Sequence, residues 1–134
     1  MRSAAVARGA AVYLALQGVG GLAWWLLLFL RPESRVWFMA TDAPESTLLA
    51  FALPDLTLYA GGSLLAAYGL WNRRRWAWSI VCIHTGAAVY AAAYCLGLWC
   101  LDSRAWLPAA LMLPSLIITP LIACWTRPRD DGTC

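Results

Sequence analysis

Apolar residues run almost without interruption through four stretches of the chain, about residues 10–30, 47–71, 76–100 and 105–125, and the charged residues gather between them. Crossing about 30 Å of hydrocarbon takes roughly 20 apolar residues in a helix, because in lipid only a helix or a closed barrel satisfies its own backbone. The pattern therefore predicts an all-α integral membrane four-helix bundle forming a single transmembrane domain. An outer loop spans 31–46 and a tail spans 126–134, and Pro54, Pro114 and Pro120 predict kinks in the second and fourth helices. Arg2 and Arg8 ahead of an apolar run resemble a secretory signal, but the run continues through "LAWWLLLFL" to Leu30 without a convincing cleavage site. It reads as a retained anchor.

Composition agrees. Of 134 residues 62% are hydrophobic and 13% charged, with a mean hydropathy of +0.63, more apolar surface than a soluble domain of this size can bury. All ten basic residues are arginine, which together with abundant Ala, Gly and Trp suggests a bacterial coding bias and hence a bacterial inner membrane. "WNRRRWAW" mixes basic and aromatic residues as nucleic-acid surfaces do, but it lies between two spans, so no nucleic-acid partner is expected. Arg2, Arg8, Arg73, Arg74, Arg75, Arg127 and Arg129 fall on one side of the bilayer and Arg31, Arg35 and Arg104 on the other. The excess places both termini in the cytoplasm. Trp71, Trp76, Trp78 and Trp125 then mark the inner interface, and Trp24, Trp25, Trp37, Trp99 and Trp106 the outer one.

In the outer loop "DAPE" has capping-box spacing: Asp42 as N-cap, Glu45 three positions on and Pro44 in the first turn. The second helix is expected to start near Ala43, preceded by "VWFMA" as a partial helix in the outer interface.

Polar residues inside the spans are few. Asp55 lies roughly 12 Å from the outer boundary, where a charge facing lipid costs on the order of 3 kcal/mol on insertion scales, so it is expected to face protein or trapped water, or to be protonated. Asp55, Tyr59, Gly62, Ala66 and Gly69 form one helical stripe; Tyr13, Gln17, Gly20 and Trp24 form a second, and His84, Ala88, Ala91 and Cys95 a third. Small residues along these stripes allow close helix approach. Gln17, Tyr59, His84 and Ser115 fall at similar depth, with Asp55 about one turn away and Tyr90 and Tyr94 nearer the outside. This polar layer is the candidate site. A purely structural role for Asp55, hydrogen-bonded to Tyr90 or His84, stays open beside a ligand or proton site.

One histidine and one carboxylate fall short of a zinc ligand set, and no metal is expected. Cys82, Cys95, Cys100, Cys124 and Cys134 contain no CxxC pair; they read as small apolar fillers rather than redox thiols. Phosphate loops, nucleophile elbows and other cofactor motifs are absent. "LPDL" at 53–56 and "LPSL" at 113–116 suggest a decayed parallel repeat, although leucine is common enough for chance to produce the match.

A tryptophan-rich first span, "LLAFALPDLTLYAGGSLLAAYGL", an arginine turn, "YAAAYCLGLW" and a proline-broken last span follow in order. This succession resembles the four-helix module found ahead of or beside bacterial isoprenylcysteine-carboxyl-methyltransferase-like membrane proteins. The resemblance implies an accessory module; no methyltransferase cofactor motif is present and no catalytic residue carries over. In general shape the chain is also similar to DoxX-like proteins and the sterol-isomerase-related group. The expected function is a non-enzymatic module binding a hydrophobic small molecule, or a membrane-protein partner or second copy, within the lipid bilayer. The alternatives are a small lipid enzyme using Asp55 and His84 for proton transfer and an oligomeric proton-coupled carrier.

Overall fold

A computed structural model describes residues 4–128, and among these residues the structure is helical without strands. Arg2, Arg129 and Cys134 lie outside the described residues. Four helices are long and apolar enough to cross a membrane: Ala4–Leu30, Glu45–Trp71, Ala77–Leu101 and Ser103–Thr126. They coincide with the stretches read from the sequence to within a few residues, except that the first begins earlier. The first span packs on the second, the second on the third and the third on the fourth, whereas the first and fourth barely touch. One seam of the bundle is therefore open. Val6, Arg73 and Thr126 border one small cleft, so the start of the first span, the arginine turn and the end of the fourth span share one end of the molecule.

That end is closely packed. Ala10, Ala11 and Leu14 meet Ala66, Ala67 and Leu70, with Ala77, Val81 and Ile122 closing the cluster. Small side chains let the helix backbones approach, and two glycines set the limit. A Cβ on Gly18 would lie 2.6 Å from Leu64 Cγ and 3.0 Å from the Ala60 carbonyl oxygen, and one on Gly69 would lie 2.7 Å from the Trp76 ring. Polar side chains add cross-links: the Ser63 hydroxyl donates to the Leu14 carbonyl at 2.6 Å, and the Trp78 indole to that of Ala123 at 3.1 Å. The second span ends with Arg73 at φ 52, Arg74 N–H bonding back to the Gly69 carbonyl at 2.8 Å and Arg73 N–H to that of Leu70. Glycine usually occupies such a left-handed helix terminus.

At the opposite end, Pro32–Phe38 forms a 3-10 turn, in accord with the partial helix expected in "VWFMA". Arg35 fastens it by donating to the Leu28 carbonyl at 2.8 Å and pairing with Glu45. The expected capping box does not form. Asp42 adopts φ 62, and the tight turn closed by Ala43 N–H to the Ala40 carbonyl carries it away from the helix start. Glu45 is held by Arg35 instead, and the second span begins at Glu45 with Pro44 as an extended N-cap residue lacking a side-chain bond. Asp102 ties this loop to the connection between the third and fourth spans, accepting from Thr41 N–H and from Arg104 N–H at 2.9 Å. These hydrogen bonds, from the side chain and backbone of Thr41 and then the backbone of Arg104, hold the Asp102 carboxyl down at about 2.

The two proline motifs behave differently. In the second span the α-helix is interrupted at Phe51, resumes over Ala52–Pro54 and passes into a π-helix over Asp55–Gly61 before returning to α at Gly62. The irregularity surrounds Pro54, which supplies no amide hydrogen to the helical ladder. The fourth span stays α-helical across Pro114 and Pro120. The "LPDL" and "LPSL" likeness therefore does not extend to local structure.

Candidate functional site

The open seam and the irregular second span together leave a cavity of about 620 Å³ in the half of the bundle nearest the Pro32–Phe38 turn. All four spans contribute to its wall, and Phe38 from the turn covers it.

Its floor is polar. Gln17, Tyr59 and Ser115, grouped in the sequence by similar depth and each roughly 20 Å from the ends of its span by helical rise, converge. Gln17 Nε2 donates to the Tyr59 hydroxyl at 2.8 Å and to Ser115 Oγ at 3.0 Å, and the two hydroxyls lie 2.6 Å apart. Two amide hydrogens and one hydroxyl hydrogen fill these three contacts, so one hydroxyl hydrogen remains to donate elsewhere. The triad bridges the first and fourth spans where their backbones do not pack.

Asp55 stands on the cavity wall, half-buried, with Trp25 Nε1 donating to its Oδ2 at 3.3 Å. Neither Tyr90 nor His84 supplies that hydrogen bond. Tyr90 is 68% exposed on the outer surface of the third span and takes no part in the layer; one turn on, Tyr94 lines the cavity and packs its ring 4.7 Å from Phe51. His84 is fully buried but lies outside the cavity wall, its ring centroid 5.5 Å from that of Tyr59. It packs over Gly62, where a Cβ would stand 3.6 Å from His84 Cβ. Neither of its ring nitrogens has a hydrogen-bond partner among the described residues; the carbonyls of Leu58 and Tyr59 in the π turn are its neighbours but fall short of hydrogen-bond geometry. The expected meeting of acid and imidazole in one pocket thus does not occur.

The first-span stripe is resolved into two. Tyr13, Gln17, Gly20 and Trp24 line the cavity, while the buried packing edge runs one position over through Ala11, Leu14, Gly18, Trp25 and Leu28. Trp25, expected at the membrane interface, is 1% exposed. Its apolar ring fills the core and its N–H reaches the carboxylate. Trp24 sits 4.9 Å from Trp25 and 5.2 Å from Phe38 between ring centroids, both edge-on, so aromatic rings line the cavity on the first-span side, with Phe51 and Tyr94 on the wall formed by the second and third spans.

Further polar capacity remains on lining residues. Gln17 Oε1 and Trp24 Nε1 have no hydrogen-bond partner among the described residues, and a buried group left so costs about 1–3 kcal/mol. Phe51, Cys95 and Met112 also line the cavity and carried no signal beyond apolar character. Trp25 had one in principle: it is the residue of the WW pair on the face opposed to the Asp55 stripe.

The mouth faces sideways. Leu16, 69% exposed, and Leu111, 54% exposed, line the cavity from the first and fourth spans, the two helices that barely meet. No group of three His, Cys, Asp or Glu side chains placed to hold a metal occurs among the described residues. What the arrangement can do chemically is enclose an apolar molecule and meet it with a carboxylate, hydroxyls and an amide. No family model matches the chain, and no curated protein or solved structure is significantly similar to it.

Proposed function

We propose that this chain is a four-span protein of a bacterial inner membrane, with both termini cytoplasmic, that binds a small hydrophobic molecule in its central cavity and does not itself catalyse a reaction. One observation carries the reading: an apolar, aromatic-walled cavity of about 620 Å³ with a few convergent polar groups, the size and character of a small-molecule site. Its accessory or partner-binding role, if it forms part of a larger assembly, rests on the same ligand. The arginine asymmetry supports an orientation with the cavity towards the outer half of the membrane.

A catalytic role finds less support. Proton relay across a bound lipid requires acid and base on one cavity wall, and His84 stands behind Tyr59. Native mass spectrometry of the purified protein tests the proposal. A stoichiometric small molecule should co-purify with the wild type and be lost from Gly20→Leu, where a Cβ meets nothing within 4 Å and the side chain grows into the cavity. A wild-type protein that carries no small molecule, and takes up none when offered a mixed lipid extract, overturns the reading.

A further inference from the structure

The chemistry of the cavity wall narrows the class of ligand, given the binding role proposed above. Among the described residues Asp55 is the only carboxylate on the wall, and no arginine or histidine lines it; the chain contains no lysine. The two ion pairs among the described residues, Arg31 with Glu33 and Arg35 with Glu45, lie at the loop end and leave Asp55 without a counter-charge. Its polar contact is the single indole N–H of Trp25. An acid at this depth is tolerated when it is neutral or when a positive charge meets it.

The surroundings favour the second arrangement. The rings of Trp24, Trp25 and Phe38 are clustered on one side, and those of Phe51 and Tyr94 on another. The negative faces of aromatic rings attract cations and disfavour anions, most strongly where water is excluded. An anionic headgroup would meet Asp55 with no basic side chain to offset it. A neutral lipophile would fill the cavity but would need Asp55 to stay protonated.

We infer that the cavity takes a lipophilic organic cation, an amine or quaternary onium with apolar substituents, with Asp55 as counter-charge and the surrounding rings as its enclosure. The apolar substituents occupy the region towards Leu111 and Met112, and the open seam admits them from the lipid.

Equilibrium dialysis of the purified full chain in a non-ionic detergent, with tetraphenylphosphonium and tetraphenylborate as probes of matched shape and opposite charge, tests this. The phosphonium should bind saturably at one per chain, and the borate about tenfold or more weakly. Asp55→Asn should weaken the phosphonium by a similar factor while leaving borate unchanged, and Asp55→Glu should restore part of the loss. Equal binding of the two probes by the wild type, which needs no variant to be folded, overturns the inference, as does unchanged phosphonium binding by Asp55→Asn. If a neutral molecule displaced by Gly20→Leu still co-purifies in that event, the cavity reading stands and only the charge assignment falls. If no probe binds and nothing co-purifies, both fall.

Discussion

The two halves of the bundle are built from the same four helices but solve opposite problems. From mid-span towards the arginine-turn end, alanines and glycines bring the backbones close: Gly18 at mid-span and Gly69 beside the turn have neighbours where a Cβ would stand. At the loop end, tryptophan, phenylalanine and tyrosine hold the helices apart around a cavity. Residue size alone separates them, since both halves are apolar and neither gains from exclusion of water inside a lipid bilayer. Packing is close at one end and leaves a cavity at the other.

The contrast can be broken most severely with one substitution. Gly18→Leu drives a side chain into Leu64 and the Ala60 carbonyl and should destabilise the bundle by about 3 kcal/mol or more, read as a fall in thermal midpoint in detergent; Gly20→Leu, on the cavity side, should leave the midpoint within about 0.5 kcal/mol of wild type. Similar losses from both would show the helix seam and the cavity wall to be equally packed. Next in size, Tyr59→Phe removes the hydroxyl shared by Gln17 and Ser115 and should cost about 1–2 kcal/mol by the same assay, together with weaker coupling between the first and fourth spans in cross-linking.

Arg73→Gly should act in the other direction. It relieves a non-glycine residue at φ 52 and should stabilise the protein by about 1 kcal/mol, read as a rise in thermal midpoint in detergent. The smallest effect concerns the loop end. The Asp102 carboxyl is held down at about 2 by the bonds from Thr41 and Arg104, so the folded form favours the carboxylate. The latch is fully in force above the ordinary value of 3.8 and is released as pH falls towards 2. Amide exchange at Thr41, corrected for the intrinsic pH dependence of exchange, should accelerate across that window in wild type and be fast throughout in Asp102→Asn.

The four spans and the buried small residues Ala66, Gly69 and Ala88 were legible in sequence, because helix length and a period of 3.6 residues are local properties, whereas the first-span seam through Ala11, Leu14 and Gly18 runs one position from the stripe read there. Gln17, Tyr59 and Ser115 were placed together by depth alone, and they meet. The cavity half was harder to read. Tyr90 and Tyr94 are one turn apart and equally plausible by spacing, and only the packing around Phe51 turns one in and the other out. His84 shares a depth with the polar layer, yet the bulk of Tyr59 screens it from the cavity. The capping box failed because Arg35, ten residues upstream of Glu45, competed for its carboxylate, a contact that depends on how the loop folds back. The π turn after Pro54 shifts every later side chain of the second span around the axis, which an unbroken helical wheel does not anticipate.

The gap between Leu16 and Leu111 has a consequence for any measured affinity. A mouth that opens among acyl chains samples the leaflet and not the aqueous phase. Occupancy then follows the guest's mole fraction in the surrounding lipid. Two compounds with identical contacts inside the protein but different partition coefficients would differ in apparent potency by the ratio of those coefficients. Acyl chains themselves, present in vast excess at that doorway, are the standing competitor that any true guest must displace.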